Sequence, residues 1–188
     1  MKHKIITLMI IAAIIYSSAA AAQNLEVIVP DYKVSALTQA IIDLHPKIDS
    51  VIANKIAYCV MSECTKKDLE PALITALIYV ESTFNPLSES KKGACGLMQV
   101  RYSIWKETDI LIKNNVTSRD QLFWIEANIK CGTDIFLRYY ERAEGDIGKA
   151  LYRYNTGKSL PGKTKPTKIR YINKVVYTAY IILSKIGG

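Results

Sequence analysis

The side chain best suited to chemistry in this chain is Glu81, a lone glutamate between an apolar segment and a loop that contains several glycines. Apolar residues at helical spacing over residues 69–80 predict a helix that packs one face inward, with Glu81 at the edge of that face. Partial desolvation there disfavours the charged form and raises the pKa of the carboxyl. A carboxyl still protonated near neutral pH can donate a proton to a leaving oxygen, so we expect Glu81 to act as a general acid.

Four sequence motifs occur in order along the chain, and the first of them begins at Glu81. They are E-S-x-F-x-P at 81–86 with S-x-x-G-A-x-G-L-M-Q at 90–99, N-I-x-x-G at 128–132, Y-N-x-G at 154–157, and R-Y-I-x-x-V at 170–175. Together they resemble the soluble lytic transglycosylase (SLT) domain, a lysozyme-like family that cuts the glycan strands of peptidoglycan. The resemblance spans about residues 69–180, and four motifs in order are far more specific than any one of them.

The resemblance implies a mainly α, lysozyme-like single domain of the goose-type lysozyme and transglycosylase kind. It also implies cleavage of the β-1,4 bond between N-acetylmuramic acid and N-acetylglucosamine, with Glu81 as general acid and base. Glycosidases normally use two carboxylates, but the loop facing Glu81 has no acidic residue between Glu89 and Glu107. Without a second base to activate water, the 6-hydroxyl of the sugar can attack, which gives a 1,6-anhydro end.

The family motifs also suggest four substrate-binding residues, namely Ser90, Gln99, Tyr154 and Asn155. Ser90 would orient Glu81 or the glycan, although a turn serine is the simpler alternative. Gln99 would bind N-acetyl and hydroxyl groups, with a buried structural amide as its alternative. We expect Tyr154 to point its hydroxyl at Glu81, and Asn155 to hold that turn in place.

The sequence departs from the family next to the Gln99 motif. Many members have a methionine two residues after this glutamine, where this chain has Arg101. An arginine therefore replaces a cleft methionine, which indicates altered subsite contacts.

Two other functions remain open at this stage. One is a lysozyme-type muramidase, which uses water instead of the 6-hydroxyl. The other is a non-catalytic wall-binding assembly subunit of an envelope-spanning machine, which the retention of Glu81 argues against. Glu89 is the rival acid, but its serine and lysine neighbours are typical of a solvated loop.

The first 22 residues have the layout of a secretory signal. Lys2 and Lys4 precede an apolar run, and an alanine-rich end offers cleavage after Ala22. An uncleaved anchor is the alternative, although the apolar run falls short of the roughly 20 residues of a membrane span. We therefore predict a signal peptide at 1–22, an N-terminal helical extension at 23–68 and the catalytic domain at 69–188, in an exported protein of the periplasm or cell envelope.

The chain is basic, with a formal net charge of +8. Cell-wall polymers, anionic lipids and nucleic acid all attract such a protein, so charge alone does not choose between them. Given the resemblance, we expect peptidoglycan strands and no nucleic acid as partners, with no cofactor. A small wall-opening enzyme also fits a secretion, conjugation or phage apparatus.

The four cysteines are Cys59, Cys64, Cys95 and Cys131. In an oxidising compartment they allow two disulfides in three connectivities, which spacing cannot decide. We favour 59 with 64 and 95 with 131. We expect no metal site, since the only histidine beyond the signal is His45.

Helical patterns outnumber strand candidates, which predicts a mainly α architecture. The expected helices cover residues 34–44, 48–61, 69–80, 123–140, 146–151 and 169–186, after an irregular segment at 24–33. We expect Asp68 to cap the third of these helices, residues 118–120 to cap the fourth, and Asp146 to start the fifth.

Overall fold

The structure is a computed structural model that describes residues 29–158 and 166–186, so the predicted signal at 1–22 lies outside the described residues. The described part is mainly helical, which confirms the predicted class. Its α-helices are α1 (Asp31–Leu44), α2 (Ser50–Lys67), α3 (Pro71–Ser82), α4 (Tyr102–Trp105), α5 (Asp109–Lys113), α6 (Ile125–Glu141), α7 (Ile147–Thr156) and α8 (Pro166–Ile186). No helix in these ranges combines the length and apolar character that crossing a membrane requires.

Helix α3 is the centre of the fold. Every residue from position 72 to 78 is buried, because α8 covers one side of the helix and α2 packs on another. A helix that is apolar all round must be enclosed in this way. Glu81 lies in the last turn of α3, half-buried, as the sequence predicted.

The caps of the helices correct two of the predicted boundaries. Asp68 ends α2 in a left-handed conformation (φ 50°), and Glu70 caps α3 by accepting a hydrogen bond from the Ala72 amide. The last carbonyl groups of a helix have no amide partner within it. The Asp68 amide donates to one of them, that of Cys64, so Asp68 is the C-cap of α2 and not the N-cap of α3. Asp146 caps α7 as predicted, since its side chain accepts from the Lys149 amide at 2.9 Å.

The region before α6 also differs from its prediction. A 3₁₀ helix covers Asp120–Phe123, and α6 begins only at Ile125 with Trp124 at the cap position. Residues 118–120 therefore do not cap the long helix. The 3₁₀ turn changes the chain direction, which a helical periodicity alone cannot reveal.

A short antiparallel hairpin is the one sheet of the described residues, with β1 (Ala94–Cys95) paired to β2 (Val100–Arg101). Residues 96–99 form the turn between the strands. This hairpin carries Gln99 and Arg101 into the same region as α3, α6 and α7.

Neither predicted disulfide is present, because all four cysteines are buried free thiols. Cys59 and Cys64 both lie inside α2, where residues five apart are about 8.7 Å apart at Cα, beyond the reach of a disulfide. The charges with the largest effect on the pKa of Cys95 are those of Arg119 and Glu89, whereas for Cys131 they are those of Asp134 and Lys67. The two thiols therefore sit in different surroundings.

A buried ion network joins α2 to α6. The Lys67 ammonium lies 2.9 Å from Glu63 and 3.1 Å from Asp134, and all three side chains are largely buried. Burial alone would raise the pKa of Glu63, but the ammonium groups of Lys66 and Lys67 outweigh it and hold that pKa below its ordinary value. The network therefore stabilises the packing of the two helices only while the carboxylate is charged.

We predict that Glu63→Gln removes part of the acid sensitivity of the fold. A lowered folded pKa gives stability that is complete above the unfolded value near 4.5 and is lost as the pH falls through the folded value. At pH 7 the substitution should lower the free energy of unfolding by about 1 to 3 kcal/mol, and this difference should shrink on acidification. Urea unfolding from pH 7 downward measures it.

The exposed Glu107→Gln is the matched control and should leave the pH dependence unchanged. Equal acid sensitivity of wild type and Glu63→Gln would contradict a stabilising role for the network.

Candidate active site

A cavity of about 550 Å³ opens where the end of α3 meets the hairpin, α6 and α7. Such a volume is typical of small-ligand sites. All five residues predicted for catalysis and substrate binding line it: Glu81, Ser90, Gln99, Tyr154 and Asn155. Segments that are more than 70 residues apart in sequence are thus brought together around one carboxylate.

The Glu81 carboxylate accepts a hydrogen bond from the Tyr171 hydroxyl at 2.5 Å. Burial raises the pKa of Tyr171 well above its ordinary value, and the charge of Glu81 raises it further. The phenol therefore stays protonated and acts as a donor. Since Tyr171 belongs to α8 and Glu81 to α3, the packing of these two helices fixes the orientation of the carboxyl.

Tyr154 has a different partner from the one that the sequence suggested. Its hydroxyl donates to the carbonyl oxygen of Met98 at 2.7 Å, so it holds the hairpin turn and does not point its proton at Glu81. Burial, followed by the charge of Glu81, raises the pKa of Tyr154 well above its ordinary value. The tyrosine hydroxyl that donates to Glu81 is that of Tyr171, not that of Tyr154 as the sequence predicted.

Gln99 sits in a left-handed conformation (φ 52°), which is unfavourable for a residue with a side chain. Its amide nitrogen donates to the carbonyl oxygens of Gly96 at 3.0 Å and Ser88 at 3.2 Å. The nitrogen thus has a structural role in the loop. The Oε1 atom accepts no hydrogen bond from the rest of the described chain and remains available to a ligand.

Ser90 closes a turn at the entrance of the hairpin. Its oxygen accepts hydrogen bonds from the amides of Ala94 at 3.0 Å and Lys92 at 3.3 Å. These two bonds are those of a turn serine, the simpler alternative given above, although Ser90 also lines the cavity. Glu89, the rival acid, is exposed, is paired with Arg119, and is not part of the lining.

Asn128 supports the site from beneath, a role that sequence reasoning missed. Its side chain accepts from the Met98 amide at 2.7 Å and donates to the carbonyls of Leu122 at 2.6 Å and Cys95 at 2.8 Å. A Cβ at Gly96 would lie 2.4 Å from the Asn128 amide nitrogen, so only glycine allows this approach. Its place as the asparagine of the N-I-x-x-G motif is the one feature of the sequence that could have indicated this role.

Aromatic side chains form one wall of the cavity. Trp105 and Tyr139 meet edge to face with ring centroids 6.0 Å apart, and Tyr139 meets Tyr154 in the same way at 6.4 Å. All three line the cavity. Because they come from α4, α6 and α7, no local pattern in the sequence linked them.

The described residues contain no group of three or more His, Cys, Asp or Glu side chains able to bind a metal ion.

A helical fold built around a half-buried glutamate in an aromatic-lined cleft defines the lysozyme-like class. Within that class, the sequence profile of the transglycosylase SLT domain matches residues 59–172, which is more than half of the chain. The chain therefore belongs to the SLT domain family.

Comparison with individual proteins agrees with this assignment. Membrane-bound lytic murein transglycosylase C from Yersinia pestis (strain Pestoides F) and from Yersinia pseudotuberculosis (serotype O:1b) are each 37% identical over 83 residues. These matches cover 43% of this chain and 23% of each relative, so the chain spans less than a quarter of their length.

A solved structure provides the comparison of folds. The inactive mutant of lytic transglycosylase Slt from Pseudomonas aeruginosa superposes with a TM-score of 0.60 at 23% identity, over 69% of this chain and 24% of that one. This likeness confirms the lysozyme-like fold.

We predict that Asn128→Asp strongly destabilises the fold. A carboxylate cannot donate to the two buried carbonyls, which should lower the free energy of unfolding by about 2 to 4 kcal/mol. Urea unfolding measures this loss. Asn173→Asp, which makes the same change on the exposed face of α8, should have little effect, and an Asn128→Asp protein as stable as this control would disprove the role of the amide.

Proposed function

We propose that this protein is a peptidoglycan lytic transglycosylase, which cleaves the β-1,4 bond after N-acetylmuramic acid and leaves a 1,6-anhydro end. The supporting observation is that Glu81 is the single carboxylate among the described residues that line the cavity. A second carboxylate, which acts as base or nucleophile in most glycosidases, is not found among the described residues of that lining. The membership of the SLT domain family supports the same reaction.

One carboxyl group then has to act twice. Glu81 donates its proton to the glycosidic oxygen as the bond from C1 to that oxygen breaks. The resulting carboxylate takes the proton of the 6-hydroxyl while O6 bonds to C1, which closes the anhydro ring. Every proton and electron pair is accounted for without water, and Glu81 returns to its starting state.

The Tyr171 hydroxyl is a positioning group in this scheme. By donating to one oxygen of Glu81 at 2.5 Å, it fixes the rotation of the carboxyl group. Its proton also stabilises the carboxylate form that follows the first transfer.

The remaining lining residues bind the glycan. Gln99 offers the Oε1 atom to N–H and O–H groups of the sugars, and Ser90 and Asn155 add further polar contacts. The rings of Trp105 and Tyr139 provide apolar surface for the faces of the sugar rings.

The setting of the protein is also part of the proposal. The predicted signal at 1–22, together with relatives whose names describe membrane-bound murein enzymes, supports export to the periplasm or cell envelope. The role that we propose in this setting is local wall opening for a secretion, conjugation or phage apparatus.

Digestion of peptidoglycan in water enriched in heavy oxygen tests the reaction. We expect muropeptides that end in 1,6-anhydro-N-acetylmuramic acid and carry no label, because the attacking oxygen comes from the sugar. Mass spectrometry separates these products from labelled reducing ends, which differ by one water. Predominantly labelled ends would replace the proposal with a muramidase.

Glu81→Gln should yield no product, since it keeps the shape of the side chain but removes the dissociable proton, a loss of at least about 10²- to 10⁴-fold. Glu89→Gln is the matched control and should keep most of the activity. Absence of product from well-folded wild-type protein would instead favour the non-catalytic wall-binding subunit.

We further predict that Tyr171→Phe lowers the rate of cleavage about tenfold or more, because the carboxyl loses the donor that orients it. Loss of a donor to the carboxylate should also move the alkaline limb of the pH–rate profile to higher pH. Tyr177→Phe, an exposed tyrosine on the same helix, is the control. An unchanged profile in a slower Tyr171→Phe enzyme would reduce the role of Tyr171 to packing.

A further inference from the structure

The cavity contains a cation that the reaction above does not use. Arg101 lines it from strand β2, next to Gln99. Within the described residues Arg119 and Arg138 are each paired with a carboxylate, whereas Arg101, like Arg142, Arg153 and Arg170, forms no ion pair.

The guanidinium group of Arg101 is also incompletely satisfied. Its Nε atom is buried and has no hydrogen-bond partner in the part of the chain that the structure describes. Buried donors without partners are rare in native proteins and destabilising, so each of them needs an explanation. A ligand that supplies an acceptor from the cavity would provide one.

The charge of the lining points to an anion as that ligand. Lys92, which precedes β1, also lines the cavity, so the lining contains two cations and a single carboxylate, that of Glu81. A guanidinium group can donate two parallel hydrogen bonds to the two oxygens of a carboxylate. A methionine in the same position could not donate at all, and a neutral sugar hydroxyl would accept only one of the two bonds.

We infer that Arg101 binds a carboxylate that the glycan strand carries on its muramyl residues. This inference rests on the proposed function for the identity of the ligand. The sugar rings are neutral, so the anionic groups of such a strand are the lactyl carboxylate, where the peptide has been removed, or the carboxylates of the attached stem peptide. Both present the same chemistry to the arginine.

Binding measured without turnover tests this inference. The full chain with Glu81→Gln is titrated with three kinds of strand: peptide-bearing, peptide-stripped, and stripped strands whose carboxyl groups have been amidated. Adding Arg101→Met should weaken binding of carboxylate-bearing strands by about 10- to 100-fold and leave the amidated strands unchanged. Arg101→Lys should fall between, since it keeps the charge but not the fork.

The pattern across the strands identifies the source of the carboxylate. A loss confined to peptide-bearing strands assigns it to the stem peptide, and a loss confined to stripped strands assigns it to the lactyl group. A loss on both supports recognition of either. Arg142→Met makes the same change in charge on an exposed side chain outside the lining and should leave all three affinities unchanged.

Two results would overturn the inference. One is an equal loss on charged and amidated strands together with a lower melting temperature, which would mark Arg101 as structural. The other is the absence of any loss. If cleavage fails but the preference that depends on Arg101 persists, the proposed catalysis falls and this inference stands. If no strand binds, both fall.

Discussion

The buried amide of Asn128 is the interaction on which the geometry of the site depends. Three hydrogen bonds to main-chain atoms tie one side chain of α6 to the hairpin turn and to the end of the 3₁₀ helix. Only an amide can donate twice and accept once in this arrangement. Gly96 allows the close approach, so the asparagine and the glycine act as one structural unit.

The burial of helix α3 is a second constraint, because it determines where Glu81 can lie. Helix α3 is enclosed on all sides, so its end is where a charged side chain can first reach a cavity. Glu81 takes that position and meets a phenol from α8, the helix that covers α3. The position of the carboxyl therefore depends on the packing of these two helices as well as on the hydrogen bond between them.

Features encoded locally could be predicted from the sequence, and features that depend on distant contacts could not. The helical class, the position of Glu81 and the cap at Asp146 follow from periodicity and residue type over short windows. Tyr171, which donates to Glu81, lies 90 residues away, and the sequence prediction assigned this contact to Tyr154. The prediction of a disulfide between Cys59 and Cys64 was wrong because α2 continues past both cysteines and keeps them too far apart.

These contacts divide the cleft into two halves that are fixed by different parts of the fold. One half consists of Glu81, the proposed acid, on α3 and Tyr171 on α8. The other half, which we propose binds the glycan, is the hairpin with Gln99 and Arg101, which Asn128 holds from α6 and Tyr154 holds from α7 through Met98. Because Arg101 lies on β2 whereas Glu81 and Tyr171 lie on α3 and α8, a change at Arg101 can alter which strand is bound while the packing of those two helices keeps the geometry of the proposed acid.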